Sequence, residues 1–418
     1  MNDFYDALEA RSPAQRERDL MAALPGHVAH AKARSPFYAG LLAEVDAAAV
    51  SSREALGALP VTRKSALAER QKAEPPFGGI NVMPPGRYRR VFQSPCNLHE
   101  PQTEGPDPFR MARALHAAGF RAGDLAHNGF SYHFTPGAWI METGLHKLGC
   151  GVFPGGTGQT ELQAQALAHL RPDGYVGTPS WLKIILEKAD ELGLDSGSMR
   201  RALVSGEALP PSLRAWFTQR GVAMMQAYAT ADLGLIAYET QAEGAPLPGL
   251  LVDEGVLVEI VEPNGGKPML DGEVGEVVVT TFAPDYPLIR FATGDLSAFL
   301  PEAPSACGRT GRRLKGWLGR ADQTTKIRGM FVHPGQVGEV LRRHPQVKKA
   351  RLVVSGTIGA EVMRLHAELG GAEGSADLET QIAGSLREVT KLRSEVVFAA
   401  PGSLPEDGKL IEDQRSYD

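Results

Sequence analysis

Between residues 319 and 329 the chain reads Gly-Arg-Ala-Asp-Gln-Thr-Thr-Lys-Ile-Arg-Gly. The bounding glycines accept tight-turn angles that other residues resist. Arg320, Thr324, Thr325, Lys326 and Arg328 supply donors around one acid, Asp322. Cations and hydroxyls gathered in this way can hold a ribose or a phosphate, or can simply solvate a hairpin between two strands. Three earlier stretches carry the same double reading. Residues 154–161, Pro-Gly-Gly-Thr-Gly-Gln-Thr-Glu, open a helix whose first amides can meet an anion. No lysine stands there where a Walker loop needs one, so the phosphate signal is weak. Residues 226–234, Gln-Ala-Tyr-Ala-Thr-Ala-Asp-Leu-Gly, put an aromatic ring, a hydroxyl and an acid in a predicted turn. Residues 287–295, Pro-Leu-Ile-Arg-Phe-Ala-Thr-Gly-Asp, predict a strand ending in Thr-Gly-Asp. Taken singly, each of these is more often a structural turn.

The elements that must position these residues follow from periodicity. Leu20, Leu24 and Val28 recur at helical spacing, and residues 1–75 read mainly as helices. A short strand is expected over 87–92, and the Pro- and Gly-rich stretch 93–108 reads as loop. From 109 to 219 predicted helices and strands alternate with short connections, which argues for a mostly parallel sheet with helices on its faces. Ligands of such sheets sit in the loops after strand C-termini, here 129–136, 154–160, 205–209 and 226–234. From Gly249 the texture becomes β-rich, as in a smaller subdomain over about 249–318. After Gly329 the pattern alternates again, over a length sufficient for a small α+β domain.

Composition bounds the function. A chain of 418 residues exceeds one ordinary core. Its 47 glycines and 30 prolines make it turn-rich. A net charge of −5 leaves no electrostatic footprint for nucleic acid or an anionic membrane. Cys96, Cys150 and Cys307 are widely spaced, which supports neither a zinc knuckle nor a disulfide framework. The first twenty residues carry acids and lack an apolar core, and no apolar run approaches a membrane span. A cytoplasmic location is expected.

The order of the motifs is more telling than any one of them. Ser35-Pro-Phe-Tyr38, Leu59-Pro-Val-Thr-Arg-Lys64, the stretch from Gly123-Asp124 to Leu148-Gly-Cys150, residues 154–161, Thr178-Pro-Ser180, Ser205-Gly-Glu207, residues 228–232, 290–295 and 319–329, and Gly402-Ser-Leu-Pro-Glu-Asp-Gly-Lys409 follow one another along nearly the whole chain. In that order they resemble the phenylacetate–CoA ligase-like proteins of the adenylate-forming (AMP-binding, acyl-CoA synthetase) superfamily. The resemblance implies an α/β fold: a large N-terminal domain over 1–321, of mostly parallel sheets with flanking helices plus the β-rich subdomain, and a small mobile α+β domain over 322–418. It implies activation of a carboxylic acid with ATP to an acyl-adenylate, then transfer to a thiol, usually CoA. Carried over residue by residue, Asp295 would bind the ribose hydroxyls and Arg320 the ribose or phosphate. Ser205, Gly206 and Glu207 would line the adenine, with Tyr228 stacked on it and Thr230 offering a hydroxyl nearby. Asp232 would hold Mg²⁺, Lys409 would neutralise charge at the reacting α-phosphate and carboxylate, and Asp322 would be the hinge. Tyr132, His133, Phe134, Gly155 and Gly156 would wall the acyl pocket, where Tyr132, Phe134 and Trp139 hint at an aromatic acid. The expected partners are thus a small carboxylic acid and CoA, with ATP/AMP and Mg²⁺; neither nucleic acid nor membrane is expected, and the chain could pair as a homodimer.

One region departs from that pattern. Where the family carries a Ser/Thr/Gly-rich phosphate loop ending in Lys-Pro, this chain has Ser94-Pro-Cys-Asn-Leu-His-Glu-Pro101. It lacks the glycines, Pro95 has no amide to donate, and Glu100 stands for the lysine. An acid facing a polyphosphate would weaken its grip. In residues 228–232, Ala231 replaces a hydroxyl and Asp232 is one methylene shorter than the usual Glu. Two readings follow: an acyl-CoA ligase with an altered hold on ATP, or a protein that binds AMP, an acyl-adenylate or CoA without forming the adenylate.

Overall fold

The computed structural model describes residues 3–415 except 95–96, 263–264, 319–320, 322, 324, 329, 333, 358–359, 372–373 and 408; for Ser65, Lys326, Phe331 and Gly335 only the backbone is described. The chain forms two compact units, residues 1–319 and 320–418. Arg320 and Asp322 lie outside the described residues.

The first unit is built on an eight-stranded sheet. Strands Gly151–Phe153, Leu125–Asn128, Gly174–Gly177, Arg201–Val204 and Ala223–Thr230 lie side by side in that order, all parallel. Gly234–Tyr238, Leu250–Val252 and Arg313–Leu314 then continue the sheet antiparallel. Strand alternation divides the core. Val176, Leu203 and Met225 face the helices Met111–Ala117 and Gly137–Leu148, whereas Tyr175, Ala202, Val204 and Met224 face Thr160–Leu170, Pro179–Glu191 and Pro211–Gln219. Burial on both faces accounts for the adjacent apolar pairs in these strands, Tyr175-Val176, Leu203-Val204 and Met224-Met225.

A four-stranded sheet stands beside it in the same unit. Thr62–Arg63 pairs parallel with Phe291–Ser297, followed by Gly275–Thr281 and Val256–Val261 antiparallel. The long helix Pro13–Arg34 packs Leu20, Leu24 and Val28 into the core this sheet shares. The buried Arg290 guanidinium fastens the sheet: it donates to both oxygens of Glu259 at 3.0 Å and to the Gly57 and Gly266 carbonyls.

The second unit has a four-stranded sheet, ordered Glu395–Ala399, Ala360–Leu369, Val347–Thr357 and Ile411–Asp413. Its core, which runs from Ile327 to Ile411, takes in Val337 and Val340 from helix Pro334–Arg343 and Ile382 and Leu386 from helix Ala376–Thr390. Thr325–Ile327 and Met330–Val332 form a hairpin.

Two expectations are corrected. Residues 226–230 are not loop but the end of strand Ala223–Thr230, paired antiparallel with Gly234–Tyr238 around a turn at 231–233. The stretch 93–108 contains a strand, His99–Pro101, paired with Val91–Gln93. In that hairpin Glu100 lies opposite Phe92, so both side chains share the inward face; Glu100 is 2% exposed and does not face solvent.

Candidate active site

The strand Phe291–Ser297 carries Thr293 and Asp295 on one face, two residues apart. Tyr228, near the end of Ala223–Thr230, donates its hydroxyl to Asp295 Oδ2 at 2.8 Å and lies 3.3 Å from Thr293 Oγ1. The Trp317 indole N–H donates to Asp295 Oδ1 at 3.1 Å. Both oxygens of a nearly buried carboxylate are therefore directed by neutral donors. Thr230 Oγ1 accepts from the Leu233 amide at 3.2 Å and so shapes the turn that follows. Ser205 and Gly206 lie just past the strand Arg201–Val204; the Ser205 amide donates to the Gly177 carbonyl at 3.1 Å, and Gly206 has a φ of +79° that favours glycine. The Glu207 carboxylate accepts from the Ser180 hydroxyl.

In the turn after Thr230, Asp232 Oδ2 holds the Lys64 ammonium at 2.6 Å, while its Oδ1 is buried without a donor. Glu100 lies beside this pair, buried, with the Ser94 hydroxyl as its one nearby neutral donor among the described residues. Burial first, then the negative Asp232, holds the Glu100 carboxyl well above the usual range, and Lys64 offsets only part of this. A proton on Glu100 supplies the hydrogen bond the two acids otherwise lack. Net, one negative and one positive charge remain, which is how a buried cluster limits its desolvation cost.

On the other side of the parallel sheet's end, loop 154–158 is clamped from beneath. Gln163, in the first turn of Thr160–Leu170, donates through Nε2 to the carbonyls of Gly155, Gly156 and Gly158 at 3.1, 3.1 and 2.8 Å. Its Oε1 is 2.7 Å from His127 Nε2. Burial lowers the His127 pKa, so the neutral ring donates its Nε2–H to Gln163. The packing is tight: a Cβ on Gly155 would stand 2.5 Å from His127 Nε2. The Gly156 amide donates to the Asn128 carbonyl, and Trp181 Nε1 donates to the Gly156 carbonyl at 3.0 Å.

Across from this loop, Tyr132 donates its hydroxyl to Glu142 at 2.6 Å, accepts from Asn128 Nδ2 at 3.0 Å, and packs edge-on against Trp139. Burial and then Glu142 raise the phenol's pKa. The Arg90 guanidinium lies 3.8 Å over the Trp139 ring. His133 is exposed, and Phe134 is 76% exposed with a φ of +59°; the Phe134 carbonyl accepts from the Gln93 amide, which ties this loop to the hairpin bearing Glu100.

Lys409 is an exposed side chain on a pinned backbone. Its amide donates to Asp407 Oδ1 at 3.0 Å, its carbonyl accepts from Arg351, and Arg351 in turn pairs with Asp407 and Glu412. Glu368 accepts from the Gly402 and Leu404 amides and anchors the start of the same loop. Gln163, His127, Lys64 and Trp317 were not singled out as site residues from the sequence. Gln163 stands two residues past the Gly-rich stretch, a legible position for a clamp. The indole contact of Trp317 depends on a strand pairing the sequence does not announce.

Similarity to known proteins extends over most of the chain. Residues 110–282 match the family described as "AMP-binding enzyme". The chain is 30% identical over 306 residues to a phenylacetate–coenzyme A ligase of Aromatoleum evansii, covering 70% of this chain and 67% of that one. It is 29% identical over 427 residues to the Thermus thermophilus enzyme of the same name, covering 92% of each. Among solved structures, 2-hydroxyisobutyryl-CoA ligase in complex with 2-HIB-AMP and CoA shares the fold, with a TM-score of 0.83 at 23% identity over 98% of this chain and 92% of that one.

Proposed function

Because this chain belongs to the phenylacetate–coenzyme A ligase family of AMP-binding, adenylate-forming enzymes, we propose that it activates an aromatic carboxylic acid with ATP and passes the acyl group to CoA. The observation that carries this is the Tyr228–Asp295 contact, since it joins two motif residues 67 positions apart into one hydroxyl-directed carboxylate. In the first step a carboxylate oxygen of the acid attacks the α-phosphorus and pyrophosphate leaves. In the second the CoA sulfur attacks the acyl carbon and AMP leaves.

The residue roles are ours to propose. Asp295 accepts the ribose hydroxyls, and Ser205, Gly206, Glu207 and the Tyr228 ring border the base, with Thr230 shaping the adjoining turn. Gly155 and Gly156, held by Gln163, wall the acyl pocket with Tyr132 and Trp139, and His133 and Phe134 stand at its rim. Lys409 brings a positive charge to the reacting carboxylate and α-phosphate, where a directed charge in a water-poor site is worth several kcal/mol of barrier, on the order of 3–4. Arg320 contacts the nucleotide and Asp322 is the pivot of a mobile second domain.

A divalent cation fits the donor set at Asp232. One of its oxygens is a buried carboxylate atom without a donor, and Glu100 stands beside it. Mg²⁺ takes one or two carboxylates and completes its shell with phosphate oxygens and water. Asp232 would hold the ion through the oxygen that Lys64 does not occupy, and the bound ion would offset polyphosphate charge. The inward turn of Glu100 removes the objection that an acid confronts the phosphates as an exposed charge.

ATP–pyrophosphate exchange with a panel of aryl acids, followed by trapping of the acyl-CoA, tests the proposal. Exchange that depends on an aryl acid is the expected result. Measurable AMP binding with no exchange for any acid would replace it with the reading of a nucleotide-binding protein that does not form the adenylate.

A further inference from the structure

We propose that Trp317 is a positioning residue for the nucleotide's ribose, fixing Asp295 so that the site distinguishes a vicinal diol from a deoxyribose. The inference rests on Asp295 being the ribose acid. A carboxylate offers about four lone-pair sites on two oxygens, and a ribose diol uses it best by giving one O–H to each oxygen, near the carboxylate plane. That plane is set by rotation about Cβ–Cγ, a soft torsion for aspartate. Here each oxygen already receives one outside donor: Tyr228 O–H on Oδ2 at 2.8 Å and Trp317 N–H on Oδ1 at 3.1 Å. Two donors on two different oxygens hold the rotation of the plane that a diol would meet.

The two donors are themselves held. Tyr228 stands 3.3 Å from Thr293 Oγ1, and that hydroxyl donates to the Val277 carbonyl at 3.0 Å. Trp317 rides on a segment that runs beside the strand bearing Asp295. The Lys315 amide donates to Ala298, the Leu318 amide to Leu296, and the Ser297 hydroxyl to the Gly316 carbonyl, at 2.8, 2.9 and 2.7 Å. The tryptophan is thus placed opposite Asp295 by backbone contacts on both sides of it. An indole N–H is a donor only; unlike a hydroxyl it cannot rotate to become an acceptor. It therefore always presents a hydrogen to the carboxylate.

The test is Trp317→Phe in the full chain, with affinities for ATP and 2′-deoxy-ATP measured by calorimetry alongside exchange kinetics. Loss of one charge-assisted hydrogen bond should weaken ATP binding about tenfold. The maximal exchange rate should stay within about twofold, the pattern of lost binding rather than lost chemistry. The preference for ATP over 2′-deoxy-ATP should shrink, since a two-point ligand needs the carboxylate plane more than a one-point ligand does. Equal weakening of both nucleotides, or no weakening of either, would overturn the inference. Asp295→Asn separates the layers. If it abolishes the preference while Trp317→Phe keeps it, only the role of Trp317 falls. If Asp295→Asn leaves the preference intact, the ribose assignment falls and takes the inference with it.

Discussion

At the scale of single residues, Glu100 and Lys409 lead to opposite expectations. Glu100 is an acid whose folded-state pKa is raised by burial and by Asp232. The folded chain therefore holds a proton that the unfolded chain releases, and the stability this contributes is present below the ordinary carboxylate pKa and lost as pH rises through the raised one. Urea midpoints should fall as pH rises above the ordinary carboxylate range, and Glu100→Gln, which keeps the shape and a donor, should flatten that slope. An unchanged slope would mean that Glu100 titrates normally. Lys409 is exposed, so Lys409→Ala should leave the unfolding midpoint alone. It should lower the exchange rate by about 10²–10³-fold, the usual effect of deleting one transition-state charge or donor. Lys409 is expected from the sequence through its motif, and the structure adds that its side chain is exposed. The burial of Glu100 was not, because it depends on which residue of the partner strand lies opposite; the Phe92 pairing sets it.

At the scale of elements, the loop at 154–158 and the N-terminal segment make a useful contrast. The loop gets its shape from Gln163, whose amide reaches three carbonyls. Gly155→Ala would drive a methyl into His127 and Gln163 and should cost about 1–3 kcal/mol of stability, as overpacking does. Its more telling effect should be a raised KM for the acid with a smaller change in the KM for ATP, read from exchange kinetics. The N-terminal segment is fixed by a buried acid: Glu9, 0% exposed, accepts from the Tyr238 hydroxyl at 2.7 Å and the Tyr5 amide at 2.8 Å, with Arg309 at 3.1 Å. Glu9→Ala strands those partners and should destabilise the first unit by about 3–5 kcal/mol in chemical denaturation. The alternation of helix and strand between 109 and 219 could be read directly, because short strands with adjacent apolar residues, such as Tyr175-Val176 and Leu203-Val204, stand between helix-length segments. The hairpin Ala223–Thr230 with Gly234–Tyr238 could not: its polar tip, Thr-Ala-Asp-Leu, has the composition of a loop, and only pairing with the sheet makes its flanks strands.

At the scale of the whole molecule, hydrophobic cores follow the division of the chain. Among the described residues, the buried members of the second unit's core lie between Ile327 and Ile411, and the other clusters end by Leu314. Two cores without a common member should melt separately. Calorimetry of the full chain should show two transitions, and a chain ending at residue 318 should keep one of them and bind AMP while failing to exchange pyrophosphate. A single transition lost together with AMP binding on truncation would contradict this. The eight-stranded sheet has a further consequence, for behaviour at high concentration. Its outermost strands are Gly151–Phe153 and Arg313–Leu314, three and two residues long, one beginning with glycine and the other with arginine. An open edge is a template on which another chain can add a strand, and very short or charged edges offer too few groups to start. The sheet that carries the candidate site loops is thereby also protected against edge-to-edge aggregation.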